Sequence, residues 1–113
     1  MNLDMLERFR ECWEKIEEVG TLYAEARGQS YQCQELKYSV VASLVKTYGE
    51  IPLSRAELLA KGSDEYKQYI QETADAIRKE LRLKAQLEKW KAKFESMRSL
   101  SSLEKAQINS EGH

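Results

Sequence analysis

The 37 residues from Ser63 to Ser99 contain neither proline nor glycine. They are drawn mostly from Glu, Lys, Ala, Leu, Arg and Gln, the residues that lose least conformational freedom on entering a helix. The stretch predicts one helix of about ten turns, roughly 50 Å long. A helix of that length with an apolar side is stable in water only against a partner. The rest of the chain reads as that partner plus a connector. The predicted fold is all-α: an antiparallel hairpin of two long, coiled-coil-like helices with a short connector helix and a short C-terminal helix.

A chain of 113 residues is the size of one domain, here placed at residues 1–108. The composition is 42% hydrophobic and 33% charged with a single proline, which suits helices. Two long helices alone bury too little apolar surface, so self-association into a dimer or tetramer is expected. The net charge of −1 provides no bulk attraction for nucleic acid or an anionic membrane. No apolar run approaches ~18 residues, so no membrane span is expected. The acidic start MNLDMLERFRE is unlike a signal peptide. A cytoplasmic location follows as an expectation.

The first long helix is placed at residues 3–48. Met5, Phe9, Cys12, Ile16, Val19, Tyr23, Ala26, Ser30, Cys33, Lys37, Val40, Leu44 and Thr47 step alternately by four and three, a coiled-coil seam. Gly28 either bends this helix or breaks it into a three-helix arrangement; a glycine costs about 1 kcal/mol there relative to alanine. Gly49 and Pro52 end it, glycine by accepting a left-handed conformation and proline by forbidding continuation. Ser54-Arg55-Ala56-Glu57 has the form of a capping box and predicts a short helix at 55–61 with Leu58 and Leu59 facing inward. Ser63 then caps the second long helix, 63–99, with Asp64 and Glu65 at its positive end. Ser101-Ser102-Leu103-Glu104 repeats the capping pattern, predicting a break near Ser99, a short helix at 102–108 and a frayed tail at 109–113.

Charge favours folding back. Residues 1–20 hold six acids and three bases, whereas residues 78–98 hold eight bases and three acids. Pairing Tyr48 with Tyr66 at the turn would bring Phe94 near Gly20 and Trp90 near Ala24 to Ala26, large residues against small. Cys12 and Cys33 would lie roughly 32 Å apart on one helix, too far for a bridge within the chain. They read as small buried hydrophobes, with an intersubunit disulfide as the other option. Two cysteines and the terminal His113 do not complete a tetrahedral zinc site in one chain, and no cofactor is implied.

Chemistry has little to stand on. No nucleophile-elbow, phosphate-loop, dinucleotide or zinc-protease motif is present, so the chain reads as non-enzymatic. Contact surfaces are the better candidates. Trp13, Tyr31 and Tyr38 fall off the seam, and amphipathic aromatics favour interfaces. On the second long helix Ala74, Leu81, Ala85 and Ala92 form a stripe apart from the Leu83, Leu87, Trp90, Phe94, Met97 row. Leu81 and Leu83 point about 200° apart at ~100° per residue. A helix apolar on two sides touches more than one partner, so the stripe is assigned to another copy or to a foreign protein. The alternative is a nucleic-acid face of Arg78, Arg82, Lys89 and Lys93, with Trp90 and Phe94 as stacking groups.

Three stretches, GSDEYKQYI (Gly62 to Ile70), LRLKAQLEKWKAKF (Leu81 to Phe94) and FESMRSLSSLEKA (Phe94 to Ala106), resemble the C-terminal half of small helical proteins encoded in bacteriophage and prophage genomes, often beside single-strand-annealing recombination genes. The likeness covers residues 53–106, chiefly through the D-E-Y helix start and the F-E-x-x-R-S-L end. It implies a helical accessory protein of phage origin, located in the bacterial cytoplasm and acting by contact with a host or phage protein. No catalytic residues carry over from it.

Overall fold

The computed structural model describes residues 2–111. Among them are four helices and no strand: α1 (Leu3–Glu35), α2 (Lys37–Lys46), α3 (Leu53–Lys61) and α4 (Asp64–Glu111). The all-α expectation holds, and the long last helix pairs with the first. The chain gathers into two compact units. One joins the segment ending at Ala24 to the segment beginning at Arg82; the other is Glu25–Leu81.

In the first unit, the opening turns of α1 lie antiparallel to α4. Phe9 meets Phe94 edge to face at 5.5 Å between ring centroids, and Trp13 flanks the same ring at 6.0 Å. The Cys12 thiol donates to the Trp90 carbonyl at 3.4 Å. A Cβ built on Gly20 would stand 3.9 Å from Leu87 Cδ1. This corrects the predicted register: Phe94 packs on Phe9, not beside Gly20, and Trp90 sits at Cys12 rather than at Ala24 to Ala26. The cause is the turn. The first helix stops at Glu35, so α2 and α3 occupy the space that the predicted register gave to a helix running to Tyr48. Large-against-small packing survives in a different pair, Leu87 over Gly20.

In the second unit, the last turn of α1 is held by a contact from α4. The last carbonyls of a helix lack partners within it. The Gln32 carbonyl accepts from the Leu36 N–H at 3.1 Å, while the Cys33 carbonyl accepts from the Tyr69 hydroxyl on α4. Leu36 then makes the joint to α2 at φ −79°, ψ −4°. Gly28 neither breaks nor terminates the helix; it lies inside α1.

The connector follows the sequence in part. Gly49 takes the left-handed conformation, φ +70°. Ser54, by contrast, does not cap α3. The helix begins at Leu53, and the extended Pro52 (ψ 138°) is its N-cap, its carbonyl accepting from the N–H groups of Arg55 and Ala56 at 3.0 Å each. Proline pre-sets the entry angle and has no N–H to leave unpaired. The inward face of α3 is Ala56 and Ala60, both buried, whereas Leu58 is 74% exposed and Leu59 is also exposed. Two alanines one turn apart allow close backbone approach, which the predicted leucine face would have blocked. The Ser63 cap is as expected, its Oγ accepting from the Tyr66 N–H at 3.2 Å.

The predicted break near Ser99 is absent, and α4 runs on through the expected short helix 102–108 and through residues 109–111 of the expected tail. Gly112 and His113 lie outside the described residues. Nothing between Ser63 and Glu111 is a proline or glycine, and a serine pair costs only a few tenths of a kcal/mol each inside a helix.

Candidate interaction surfaces

Burial along each long helix traces one seam. On α1 the less exposed positions are Met5, Phe9, Cys12, Ile16, Val19, Tyr23, Ala26, Ser30 and Cys33, the predicted series as far as the helix lasts, together with Gly20. On α4 they include Tyr66, Tyr69, Thr73, Ala76, Glu80, Leu83, Leu87, Trp90, Phe94, Met97 and Ser101, again stepping by three and four. The row of Leu83, Leu87, Trp90, Phe94 and Met97 therefore continues back to Tyr66 through Glu80, Ala76, Thr73 and Tyr69, while Ile70 is exposed. A carboxylate at a seam position hid the continuity from a reading of apolar residues alone.

The seam is thinly filled. Among the described residues the buried apolar side chains are Cys12, Val19, Ala26, Ala56, Ala60, Leu83 and Leu87. Ser30 is fully buried, and the Gln34 amide donates to its Oγ at 3.1 Å. The Thr73 hydroxyl is buried without a partner. The charge asymmetry is not expressed as bridges between helices. Among the described residues the ion pairs are Lys15–Glu18, Arg78–Asp75 and Arg98–Glu95, all three residues apart on one exposed helix face. Such pairs contribute about 0–1 kcal/mol each.

The sequence-derived candidates divide between the two units. Trp13 is half exposed beside Phe94 in the first, where Ala85 and Ala92 are also exposed. In the second, Tyr31 and Tyr38 are exposed, Leu81 is 55% exposed, and Ala74 is half buried. Arg78, Arg82, Lys89 and Lys93 are all exposed on α4. Two of them already have local partners: Arg78 the Asp75 carboxylate at 2.8 Å, and Lys93 the Trp90 ring, 5.0 Å from its centroid. Trp90 and Phe94, proposed as stacking groups, belong to the seam.

Two surfaces escaped the sequence reading. One is a groove of about 550 Å³ between α2 and α3, with Val41, Val45 and Leu53 along it and Lys37, Lys46 and Lys61 at its margin. The i, i+4, i+8 spacing of Lys37, Val41 and Val45 was the available signal, obscured by assigning this segment to the long first helix. The other is the outer side of the first turns of α1, where Leu3 is 79% exposed and Leu6 is exposed with it. A second hollow, about 600 Å³ in the first unit, is lined by Cys12, Trp90 and Met97 among acids and bases of both signs. Its one thiol, Cys12, is bonded to the Trp90 carbonyl.

Among the described residues no group of three or more His, Cys, Asp or Glu could hold a metal ion, and no helix is long and apolar enough to cross a membrane. Cys12 and Cys33 are free, the first buried and the second half buried. No protein-family model, curated protein or solved structure matches the chain.

Proposed function

We propose that this chain is a non-enzymatic interaction module that associates with copies of itself and binds a partner protein. The observation that carries this reading is the exposure of large apolar side chains on all four helices, including Leu3, Tyr38, Leu58, Leu81 and Leu103, beside a small buried set. Exposed apolar groups in that number favour an interface. Sedimentation at micromolar concentration tests it: reversible association is expected, and a monomer throughout the range overturns the self-association. The resemblance to phage-encoded helical proteins supports a role in the bacterial cytoplasm, either as an accessory to phage recombination or replication or as an inhibitor of a host protein such as a defence component. Affinity capture from host cells, with and without phage infection, separates these two by the identity of the captured protein.

A different class of function rests on the exposed basic residues Arg78, Arg82, Lys89 and Lys93 of α4. In this reading they contact nucleic-acid phosphates. Binding of that kind weakens steeply with salt. The absence of a mobility shift with single- and double-stranded DNA at low salt removes it.

A further inference from the structure

The groove between α2 and α3 has a chemical character that selects its occupant. Its apolar side chains come from two helices, Val41 and Val45 from α2 and Leu53 from α3. Tyr38, at its edge, is 86% exposed. Lys37, Lys46 and Lys61 stand at its margin, opposed by one acid, Glu57. A groove of this kind fits the apolar side of an amphipathic helix whose flanks are acidic, the general mode of helix-in-groove recognition.

The chain itself carries such a helix side. Leu3, Leu6 and Trp13 lie on one flank of α1, and all three are exposed. The spacing 3, 6, 13 keeps them within about 80° of one another at ~100° per residue. The seam residues Met5, Phe9 and Cys12 are turned toward α4 and are less exposed, so packing against α4 leaves this strip open. Glu7 and Glu14 border it on one side, and Arg10 and Glu17 fall within its arc, all four exposed. The opening twenty residues carry an excess of three acids, six against three. The groove margin carries an excess of two bases, three against one.

We propose that the α2–α3 groove of one copy receives the Leu3–Leu6–Trp13 strip of a second copy, with Glu7 and Glu14 facing the marginal lysines. The proposal rests on the self-association reading and names the surfaces that carry it. Each chain offers one groove and one strip, so each copy can both give and receive the contact. Apolar burial supplies the affinity, and the charges set partner and orientation.

The test is a charge swap read by sedimentation of the full chain. Lys37→Glu with Lys61→Glu, and separately Glu7→Lys with Glu14→Lys, are each expected to weaken self-association ~tenfold or more by placing like charges opposite one another. Mixing the two variants is expected to restore association, because each supplies the charge the other lost. Leu53→Ser, at a largely exposed position, is expected to weaken association without charge change, and circular dichroism should show native helix content in every variant. Wild-type association that none of these variants alters, or a mixture that does not recover, overturns the assigned surfaces while leaving self-association standing. A monomeric wild type overturns both.

Discussion

Gly28→Ala is a direct test of the first helix as described. Gly28 lies inside α1, and a Cβ built on it meets nothing within 4 Å. The substitution therefore adds no clash and removes no contact. What remains is intrinsic preference: alanine is favoured over glycine by about 1 kcal/mol within a helix, largely because the unfolded chain loses freedom. For a chain of this length that corresponds to a rise in Tm of about 5 °C. Gly20→Ala should act similarly, since its Cβ would stand at ordinary contact distance from Leu87. The two sites share no partner, so the double variant should gain about 2 kcal/mol. Gly49→Ala is the counter-case. Its φ of +70° is a conformation alanine adopts at a cost of about 1–2 kcal/mol. Thermal and urea unfolding followed by far-ultraviolet circular dichroism, at one fixed protein concentration because association shifts Tm, gives all four values. A Gly28→Ala variant less stable than wild type would refute the continuous α1 and indicate a break or a close contact at that position.

Leu83→Ala should cost about 2–5 kcal/mol, whereas Leu81→Ala, two residues earlier on the exposed side, should change the stability of the monomer by less than about 1 kcal/mol; urea unfolding of the two variants side by side checks both. Thr73→Val should be neutral or stabilising by about 1 kcal/mol, because it removes a buried hydroxyl that has no partner at little change in volume; a loss above about 1 kcal/mol would reveal an acceptor for that group. Ser30→Leu should cost about 1–3 kcal/mol by overfilling a fully buried seam position, while Ser30→Ala, which costs the exposed Gln34 amide only an exchange to water, should stay within about 1 kcal/mol by the same assay. Tyr69→Phe should lose about 0.5–1.5 kcal/mol and reduce amide-exchange protection in the last turn of α1.

The heptad spacing of α1 was legible residue by residue, because its seam positions from Met5 to Cys33 are mostly apolar or small. The α4 seam was legible only in halves. Glu80 interrupts the apolar pattern, although its long methylene stem allows a carboxylate to sit at the edge of a packed row. The Ser63 cap and the left-handed Gly49 were readable because each depends on its own local chemistry. The end of α1 was not. Nothing between Glu35 and Lys37 is a proline or glycine, and the group that holds the Cys33 carbonyl lies 36 residues away in the sequence. The register error descends from that one omission, since a helix ending at Glu35 shifts every pairing along α4. Leu58 and Leu59 misled for another reason: apolar residues were assumed to face inward, while Ala56 and Ala60 took the buried side. The interaction surfaces were half visible. Exposed aromatics can be inferred from a broken period, but a groove needs two helices placed against each other before it exists.

The tyrosine bond to Cys33 has a consequence for how this chain tolerates change. A helix end written into its own residues moves when those residues are substituted. Here the last turn before the joint at Leu36 is held in part by a hydroxyl on the facing helix, a contact to backbone that does not involve the side chains of Leu36, Lys37 and Tyr38. Insertions are another matter. One residue added within α1 before Cys33, or within α4 after Tyr69, turns this pair about 100° out of line with the seam beyond it, whereas one added at Gly49 or Glu50 leaves the bond in place. The bond is thus indifferent to side-chain drift at the bend and strict about counting along the two helices that carry it.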